Sequence, residues 1–476
     1  MHHRPHIIIF GAGPAGLGAA YQLGRRQLAQ VTVLERHSVV GGNAGSFKVA
    51  NLHVDYGSHR LHPSCDDRVL KDIQLLLGDD LLRRPRHGRI RIRGRWVHFP
   101  LKAMNLALNL PVDFIAGVTT DFLQKHLRRN GSECGEQENF ASVLRAGLGN
   151  TICRDFYFPY AQKIWGVEPA ALSVTQAYRR ISASSLSKMV GKVFPFLRSS
   201  RQTGGKYFFY PRYGFGQISD ALCREAEKTG VIIQRNATVK SVQVTEKQRV
   251  VTFAQNGQTR QLEADQIWST IPITALAQRL KPSPPQEYLS AISQINYRGM
   301  ILIYLVLEQK RFTEYDAHYF PELDIPITRL SEPKNYGEHE VSSDHTVLCA
   351  ELPCNPDDAI WNQSNNELGN LLLEALTKAD LAVQSPVQQI VVRRIRHAYP
   401  IYQDGYETSL KFLDDWIHQL PGILTYGRQG LFAHDNTHHA LYMAYSAVDC
   451  LGPNGDFDWN QWQEFRQIFE THIVED

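Results

Sequence analysis

Two glycine-rich turns near the start of the chain have the residue types that a phosphate-binding loop requires. The first is Gly11-Ala12-Gly13-Pro14-Ala15-Gly16, and the second is Gly41-Gly42-Asn43. In a G-x-G-x-x-G turn the first glycine permits a tight bend, the second lets a pyrophosphate approach the backbone, and the third lets helix and strand pack closely. An acid about twenty residues further on, here Glu35, would accept hydrogen bonds from ribose hydroxyls. The spacing therefore predicts a dinucleotide site.

The elements around the first turn must hold it in place. The apolar run Ile7–Phe10 predicts a strand, Leu17–Leu23 predicts a helix, and Val31–Leu34 predicts a second strand that ends at Glu35. A phosphate would then lie at the helix N-terminus, where unpaired N–H groups and the positive end of the helix dipole attract anions. The candidate cofactor contacts in this unit are Gly11, Gly13, Pro14, Ala15, Gly16, Glu35, Arg36, Gly41, Gly42 and Asn43.

Other patterns predict strands further along the chain. Arg89–Arg93 and Trp96–Phe99 alternate on either side of a turn, which predicts a hairpin, and Asn256-Gly257 predicts the turn of a second one. Met300–Leu307 is apolar throughout, as is typical of a strand buried on both faces. Seven arginines lie between positions 83 and 95. They suit either an anion-attracting rim or a solvated, charged edge strand, and we favour the edge strand.

Length and composition describe an ordinary globular chain. The 476 residues are too many for one core and predict two or three domains. The formal net charge of +3 is nearly neutral for this length, so bulk electrostatics favour neither nucleic acid nor a membrane surface. The seven cysteines are scattered and form no C-x-x-C pair. Reduced thiols and a cytoplasmic location are therefore expected.

No targeting or membrane-spanning segment is predicted. The chain runs almost directly into its first strand, which leaves no room for a signal peptide. No apolar run reaches the roughly eighteen residues that a spanning helix needs. The most apolar long segment, Leu101–Leu123, is interrupted by polar residues and predicts a buried helix pair rather than a monotopic membrane anchor.

The two glycine-rich tracts resemble the FAD signature of the flavin amine oxidase clan, which includes protoporphyrinogen oxidases and UDP-galactopyranose mutases. The resemblance implies non-covalently bound FAD, with NAD(P)H as a candidate external reductant. It also implies an α/β fold, with a Rossmann-type, glutathione-reductase-like FAD domain built from discontinuous segments and a mixed α+β substrate domain. The expected FAD-domain segments are 1–65, 205–280 and 395–476, and the expected substrate-domain segments are 66–204 and 281–394.

Three further tracts carry the resemblance to FAD sites. Gly57-Ser58-His59 is similar to a mutase tract that places a histidine beside the reactive edge of the flavin, although a solvent-exposed loop histidine is the alternative. The resemblance implies that Val239 gives backbone contacts to the adenine. It also implies that Gly427-Arg428 binds the flavin pyrophosphate.

The resemblance also implies substrate contacts. Lys163-Ile164-Trp165 is similar to a mutase tract whose tryptophan covers the uridine or sugar, and Arg179 or Arg180 would hold the diphosphate. Arg329 would bind its other side. The alternatives are an arginine pair at a helix end beside a core tryptophan, and a structural salt bridge at Arg329. The remaining candidates for the active site are Tyr399 and His434.

The tract from His434 to His439 raises two further questions. His434 stands where the mutases usually have a phosphate-binding tyrosine, which is a departure from their pattern. The tract holds three histidines and an aspartate, but no second cluster supplies the other ligands of a zinc site, so no metal is expected.

Two functions follow from these residues. The first is a mutase-like enzyme that interconverts pyranose and furanose forms of a nucleotide-diphosphate sugar by covalent catalysis at N5 of reduced flavin. The alternative is an oxidoreductase that resembles amine or protoporphyrinogen oxidases and acts on a small organic substrate. A third possibility is a binding protein without enzymatic activity, in which bound FAD only stabilises the fold. All three predict a small-molecule ligand and no nucleic acid partner, and no motif of hydrolases or NTPases is present.

Overall fold

The computed structural model describes residues 4–100, 105, 108–127, 138–180, 207–337 and 344–474, without the side chains of 125–127 and of Arg180. The polar, glycine-containing tract 128–139, whose sequence predicts a loop, lies mostly outside these residues. The strands, in chain order, are β1 (His6–Phe10), β2 (Gln30–Leu34), β3 (Ser46–Val49), β4 (Leu52–Asp55), β5 (Leu81–Pro85), β6 (Gly88–Ile92), β7 (Arg95–Phe99), β8 (Tyr207–Pro211), β9 (Ile232–Gln234), β10 (Ala237–Val244), β11 (Arg249–Gln255), β12 (Gln258–Ala264), β13 (Gln266–Ser269), β14 (Leu280–Lys281), β15 (Tyr297–Leu307), β16 (Ala317–Tyr319), β17 (Arg329–Ser331), β18 (Thr346–Cys354), β19 (Val387–Pro400) and β20 (Ile423–Thr425). The α-helices, apart from single turns, are α1 (Pro14–Arg26), α2 (Asp67–Leu77), α3 (Val112–Leu127), α4 (Phe140–Leu148), α5 (Phe158–Trp165), α6 (Val174–Arg180), α7 (Gln217–Lys228), α8 (Ile273–Ala277), α9 (Gln286–Gln294), α10 (Asn365–Lys378), α11 (Tyr406–His418), α12 (Thr437–Asp449) and α13 (Trp459–Glu470).

A parallel sheet of five strands carries the two glycine turns. Its order is β20-β13-β1-β2-β9, so strands from the start, the middle and the end of the described chain lie side by side. The central strand β1 is hydrogen-bonded to β2 and β13 and is buried along almost its whole length, which is why its sequence is a continuous apolar run. The prediction of a Rossmann-type fold from discontinuous segments is confirmed. The bounds of the individual segments stay a prediction.

Helix α1 is held tightly between the sheet and α12. A Cβ atom added to Gly16 would lie 1.9 Å from the carbonyl oxygen of Gly11, so the helix can begin directly on the turn only because this residue is glycine. A Cβ on Gly18 would lie 2.9 Å from Leu441 Cδ2 and 3.3 Å from Ala444 Cβ. Helix α12, from the last part of the described chain, therefore covers α1, and segments far apart in sequence build one domain.

A second, mixed sheet has seven strands. Its order is β19-β15-β18-β17-β16-β6-β7. The strand β15 lies between β19 and β18 and is buried on both faces, as predicted. On one face Ile301, Ile303 and Leu305 pack in a cluster with α10, whereas Met300 and Tyr304 pack against β3 and β4 on the other.

The arginine-rich tract lies at the end of this second sheet. Strands β6 and β7 form the predicted hairpin around Arg93 and Gly94, and β7 is the edge strand. Arg91 forms an ion pair with Glu322, and Arg93 with Asp113. Of the seven arginines only Arg95 lies in the edge strand β7, because Arg89 and Arg91 lie in β6, between β16 and β7, and Arg83 and Arg84 lie in β5, which pairs with β8. The interpretation as a charged edge strand is therefore confirmed for Arg95 alone, and Arg86 lines the cavity described below.

Helices α3 to α6 pack over the hairpin. Helix α3 buries Phe114 and Val118 but leaves Val112 83% exposed and Leu123 55% exposed. The prediction of a buried helix pair is therefore wrong for this helix, because its apolar residues surround the axis whereas only one face has a partner among the described residues. Residues 101–104, 106 and 107, which belong to the same prediction, lie outside those residues. Among the described helices, none combines the length and apolar character needed to cross a membrane.

Candidate active site

A cavity of about 1270 Å³ is lined by residues of both sheets and of the helices around them. The volume is larger than the roughly 300–1,000 Å³ of sites that hold one small ligand. Residues of the first glycine turn line one part of the wall, and Thr328 and Glu351 of the second sheet line another. The cavity is therefore large enough for a cofactor together with a substrate.

The two glycine turns meet at this cavity. Gly13 and Gly42 both line it, and a Cβ on Gly42 would lie 3.3 Å from the Cα of Gly13. The N–H of Gly41 donates a hydrogen bond of 2.8 Å to the carbonyl of Ala12, which ties the turns together. No side chain caps the N-terminus of α1 and no acid lies in its first turn. The cradle therefore suits a pyrophosphate, which the backbone N–H groups and the helix dipole would stabilise.

Glu35 lies at the adenosine end of the predicted cofactor site. It is 5% exposed, and its carboxylate accepts hydrogen bonds from the N–H groups of Ala12 at 2.8 Å and His37 at 2.9 Å. Each carboxylate oxygen has a second lone pair, which a ribose hydroxyl can use. Arg36 and Val239 line the cavity beside it. The residues at this end fit the adenosine half of FAD.

Most of the predicted cofactor contacts lie in the cavity wall. Those that do are Gly11, Gly13, Pro14, Ala15, Glu35, Arg36, Gly42, Asn43, Ser58, His59, Val239 and Arg428. Gly16, Gly41, Gly57 and Gly427 lie behind the wall. Gly427 packs against α1, since a Cβ there would lie 2.6 Å from the Cβ of Ala15. These four glycines shape the wall by permitting close backbone approach.

His59 lines the cavity as a neutral imidazole. Its Nε2 atom lies 2.9 Å from the carbonyl oxygen of Asn43 and 3.0 Å from that of Tyr56. Carbonyl oxygens only accept hydrogen bonds, so Nε2 carries the proton and Nδ1 does not. Burial lowers the pKa of His59, and the nearby charge of Asp55 offsets this only in part. His59 therefore presents a polar but uncharged ring to the cavity.

Arg329 begins β17 and is held by a carboxylate. Its Nη2 and Nε atoms lie 2.7 Å and 2.9 Å from Oε1 of Glu351, and the same oxygen accepts the N–H of Ser58 at 2.8 Å. Both side chains of the pair are almost fully buried. The salt bridge that was the alternative for Arg329 is present, and Arg329 nevertheless lines the cavity. Glu351 thus connects the second sheet to the Gly57-Ser58-His59 tract.

Arg60 also lines the cavity, and the sequence did not predict it. Its Nη1 lies 3.2 Å from the Tyr319 hydroxyl and its Nη2 3.3 Å from Asp316 Oδ1. Burial opposes its charge, but the neighbouring Tyr319 and Asp316 raise the pKa of Arg60 well above its ordinary value. The guanidinium of Arg329 lies 6.0 Å from the same Tyr319 ring. Arg60 and Arg329, which both line the cavity, therefore contact the same tyrosine, and that tyrosine is not among the lining residues.

Tyr399, His434 and Arg428 form another part of the wall. The rings of Tyr399 and His434 are 5.2 Å apart, and the Arg428 guanidinium lies 5.3 Å from the Tyr399 ring. Arg428 donates hydrogen bonds to the carbonyls of Asp435 at 2.9 Å and Ala398 at 2.7 Å. The structure thus brings these three predicted residues together.

Two predicted substrate residues lie outside the wall. Trp165 is 3% exposed and packs edge-on against Phe140 at 5.7 Å, with His434 at 6.2 Å. Arg179 lies 3.5 Å from Asp435, which does line the cavity whereas Arg179 does not. The Arg180 side chain lies outside the described residues. Neither Trp165 nor Arg179 is among the residues that line the cavity, and their role in substrate binding stays a prediction.

Other cavity residues were missed by the sequence reasoning. Tyr160 lies five residues before Trp165 in the same helix, and Arg60 directly follows the Gly57-Ser58-His59 tract. Both could have been identified from the sequence as aromatic or charged neighbours of motifs that resemble the family. Glu351 is the one charged residue of the buried strand β18, and a lone charge in an otherwise uncharged run could have marked it as a candidate site residue. Nothing in the sequence distinguishes Arg86 from the other arginines around it.

Among the described residues that line the cavity, basic side chains are in excess. Nine arginines and three carboxylates contribute to the wall. The arginines are Arg36, Arg60, Arg86, Arg279, Arg329, Arg393, Arg394, Arg396 and Arg428. The carboxylates are Glu35, Glu351 and Asp435. Because the walls of a cleft focus the field of their charges, this cavity attracts anions and repels cations.

His397 makes the stability of the chain sensitive to acid. Burial, together with the charges of Arg36 and Arg396, lowers its pKa to about 4. The unfolded chain therefore binds more protons than the folded one between about pH 6.5 and 4, so stability falls as pH falls through that window. Lowering the pH from 7 to 4.5 should lower the thermal midpoint of both the wild type and His397→Gln. We expect the smaller decrease for His397→Gln, and the difference should correspond to about 1–2 kcal/mol in the free energy of unfolding. Equal profiles for His397→Gln and wild type would contradict the assignment.

A comparison with protein families gives one match that spans most of the chain. The family described as flavin-containing amine oxidoreductase matches residues 14–406. That range includes the first glycine helix, the tract around His59, Arg329 and Glu351. Arg428 and His434 lie beyond it.

Individual proteins are similar at lower identity. Coproporphyrinogen III oxidase of Staphylococcus aureus is 19% identical over 443 residues, which cover 87% of this chain and 92% of that protein. A crystal structure of reduced UDP-galactopyranose mutase matches with a TM-score of 0.78 and 20% identity, over 94% of this chain and 93% of that one. A provisional protoporphyrinogen oxidase of Exiguobacterium sp. matches with a TM-score of 0.72 and 17% identity, over 94% and 99% of the two chains. At these identities the solved structures show a shared fold.

Proposed function

Since this chain belongs to the flavin-containing amine oxidoreductase family, we propose that it is an FAD-dependent oxidoreductase that acts on an anionic small molecule rather than on an amine. The observation that carries the proposal is the excess of arginines in the cavity wall, nine against three carboxylates among the described residues. The two phosphates of FAD would balance only part of this excess. A protonated amine would be repelled by what remains, whereas a carboxylate or phosphate would be attracted.

Arg60 and Arg329 are the proposed anion-binding residues. Each guanidinium is held in place by a carboxylate, Asp316 at 3.3 Å and Glu351 at 2.7 Å respectively. Planar guanidinium groups pair well with carboxylate or phosphate oxygens. Both arginines line the same cavity, so one anion could contact both. We therefore expect a substrate whose acidic group binds to these two arginines.

The other side chains of the wall have roles that follow from their charge and burial. When bound, FAD supplies the acceptor or donor of a hydride. His59, as a neutral imidazole with its proton on Nε2, can accept a hydrogen bond at Nδ1 and would not repel a proton-bearing substrate. The rings of Tyr399 and His434, 5.2 Å apart, would add aromatic surface beside the bound substrate.

The mutase hypothesis is the second candidate. Two arginines beside one tyrosine would also suit a nucleotide diphosphate, and the overall fold is similar to that of a mutase. We place it second because Trp165 and Arg179, on which the hypothesis depends, do not line the cavity. Tyr160 and Arg60 would then have to take over their roles.

One anaerobic experiment separates the two candidates and tests the anionic substrate. The protein as purified, with oxidised flavin, is mixed under nitrogen with coproporphyrinogen, protoporphyrinogen, putrescine and several UDP- and GDP-hexopyranoses. We expect the flavin colour to bleach with a carboxylate-bearing compound and not with putrescine. The same compounds are then tested with dithionite-reduced protein for isomerised sugar.

The possible outcomes of this experiment distinguish the two candidate functions. Bleaching by putrescine alone would contradict the anionic substrate. Isomerisation of a nucleotide sugar over many turnovers, with no net consumption of electrons, would establish the mutase candidate instead. In the double variant Arg60→Gln/Arg329→Gln, bleaching by the carboxylate-bearing compound should require at least roughly a hundredfold more substrate, because two charge-assisted hydrogen bonds of about 1.5–3 kcal/mol each are lost.

We further propose that the flavin is bound without a covalent link. The backbone cradle of the two glycine turns and the side chain of Arg428 supply the phosphate contacts, and no attachment motif was recognised in the sequence. Acid precipitation of the yellow protein should release the flavin into the supernatant. Colour that stays with the pellet after washing in denaturant would contradict the proposal.

A further inference from the structure

Several histidines lie close to Asp435, in the part of the cavity wall that the last described residues form. Asp435 is fully buried, and His438 and His439 follow it at the start of α12. The sequence offered no partner for this tract, so no metal site was expected there. The fold supplies one, because the segment after α13 brings His472 against Asp435.

The three groups are close enough to share one ion. His472 Nδ1 lies 2.8 Å from Asp435 Oδ2. One ligand atom each of Asp435, His439 and His472 lies within 4.8 Å of the others. The rings of His439 and His472 stack 4.2 Å apart at an angle of 13°. In a tetrahedral site with bonds of about 2.0–2.2 Å the ligand atoms are about 3.3–3.6 Å apart, so the 2.8 Å pair of Asp435 and His472 would open and His439 would move closer. Because imidazole lone pairs lie in the ring plane, one of the two stacked rings would also turn to face the ion.

A second observation points to a missing ligand beside the cluster. The Nδ1 atom of His438 is buried and has no hydrogen-bond partner among the described residues, and the side chain is 3% exposed. Its ring lies 4.1 Å from that of His439. A buried polar atom without a partner costs about 1–3 kcal/mol, so an ion with its bound water would relieve an unfavourable feature of the fold.

We propose that Asp435, His439 and His472 bind a divalent transition-metal ion of the Zn²⁺ type. Two imidazoles and a carboxylate suit zinc and its neighbours, whereas Ca²⁺ and Mg²⁺ prefer oxygen ligands throughout. The ion takes the place of the proton that His472 shares with Asp435. Asp435 Oδ1 lies 3.5 Å from Arg179, so Oδ2 is the oxygen that binds the ion and the guanidinium keeps the affinity below that of a four-ligand structural site.

The site fastens the end of the chain to the cavity wall. Two residues after His472, the N–H of Val474 donates a 3.0 Å hydrogen bond to the carbonyl of Arg179, and Val474 itself lines the cavity. A metal at Asp435 therefore fixes this last part of the wall. It has no part in electron transfer.

The test uses the full-length flavoprotein after dialysis against EDTA. Zn²⁺ is titrated against a chromophoric competitor, and X-ray absorption at the zinc edge reports the ligands. We expect one ion per chain, with two imidazole nitrogens at about 2.0–2.1 Å. His472→Ala should weaken binding by at least the tenfold to hundredfold that the loss of a supporting residue costs at other metal sites. His418→Ala is the matched control, because His418 pairs with a carboxylate, Asp414, at 3.4 Å in the same way but forms no such cluster.

The proposal is overturned if wild-type protein binds no Zn²⁺, or if His472→Ala and wild type bind it equally. Absorption spectra without imidazole ligands would also overturn it. If His472→Ala does not retain its flavin, His439→Gln provides the comparison, and the ligand count in the wild-type protein decides the question without any variant.

Discussion

Gly13→Val is expected to yield folded protein without flavin. A Cβ at this position would meet only the Cα of Gly42 at 3.9 Å, an ordinary contact, so the polypeptide itself can accommodate a side chain. The branches of valine would instead fill the space between the two glycine turns, where the pyrophosphate must approach the backbone. We expect FAD binding to weaken by at least about a hundredfold, which corresponds to about 2.8 kcal/mol. The flavin absorbance per mole of purified protein measures the effect.

Gly16→Ala is the informative comparison for that variant. Its Cβ would lie 1.9 Å from the carbonyl oxygen of Gly11, so the clash is with the protein and not with the cofactor. We expect loss of the folded protein itself, seen as insoluble product or a strongly lowered thermal midpoint. A Gly13→Val protein that keeps its full flavin content would show that the pyrophosphate does not pass between these turns.

Removing the carboxylate of Glu351 is expected to be among the most damaging single changes. The Arg329 and Glu351 side chains are 13% and 5% exposed, so solvent screens their charges little. Glu351→Gln leaves a buried guanidinium without its counter-ion, and the N–H of Ser58 loses its charged acceptor. Breaking a buried pair from one side typically costs about 3–5 kcal/mol. We expect the thermal midpoint to fall accordingly.

A double-mutant cycle establishes whether the pair acts as a unit. Arg329→Met and Glu351→Gln should each lower the midpoint, and the double variant should lower it by clearly less than the sum of the two. Asp415→Asn, which breaks the exposed Lys411–Asp415 pair, is the matched control and should have little effect. Additive losses would mean that Arg329 and Glu351 stabilise the protein independently.

Local sequence determines much of the structure of the predicted cofactor site. Gly11 and Gly16, between two apolar runs, fix a turn that other residues cannot form without strain or clash, and the turn fixes where a helix begins. Continuous and alternating apolar patterns likewise identified β15 and the β6–β7 hairpin. These features depend on backbone conformation and on residues a few positions apart, so the sequence contains the information directly.

Packing between segments that are distant in sequence determines which residues form the proposed substrate-binding part of the cavity. Arg60 and Arg329, 269 positions apart, flank one tyrosine because β16 and β17 are neighbours in the second sheet, and no local pattern encodes that neighbourhood. Trp165 and Arg179 match a family motif in spacing, yet the packing of α4 and of the C-terminal segment places them behind the wall. His472 meets Asp435 for the same reason. The sequence determines which side chains are available for chemistry, whereas the tertiary structure decides which of them face the same cavity, because burial and charge pairing depend on elements that are adjacent only after the chain has folded.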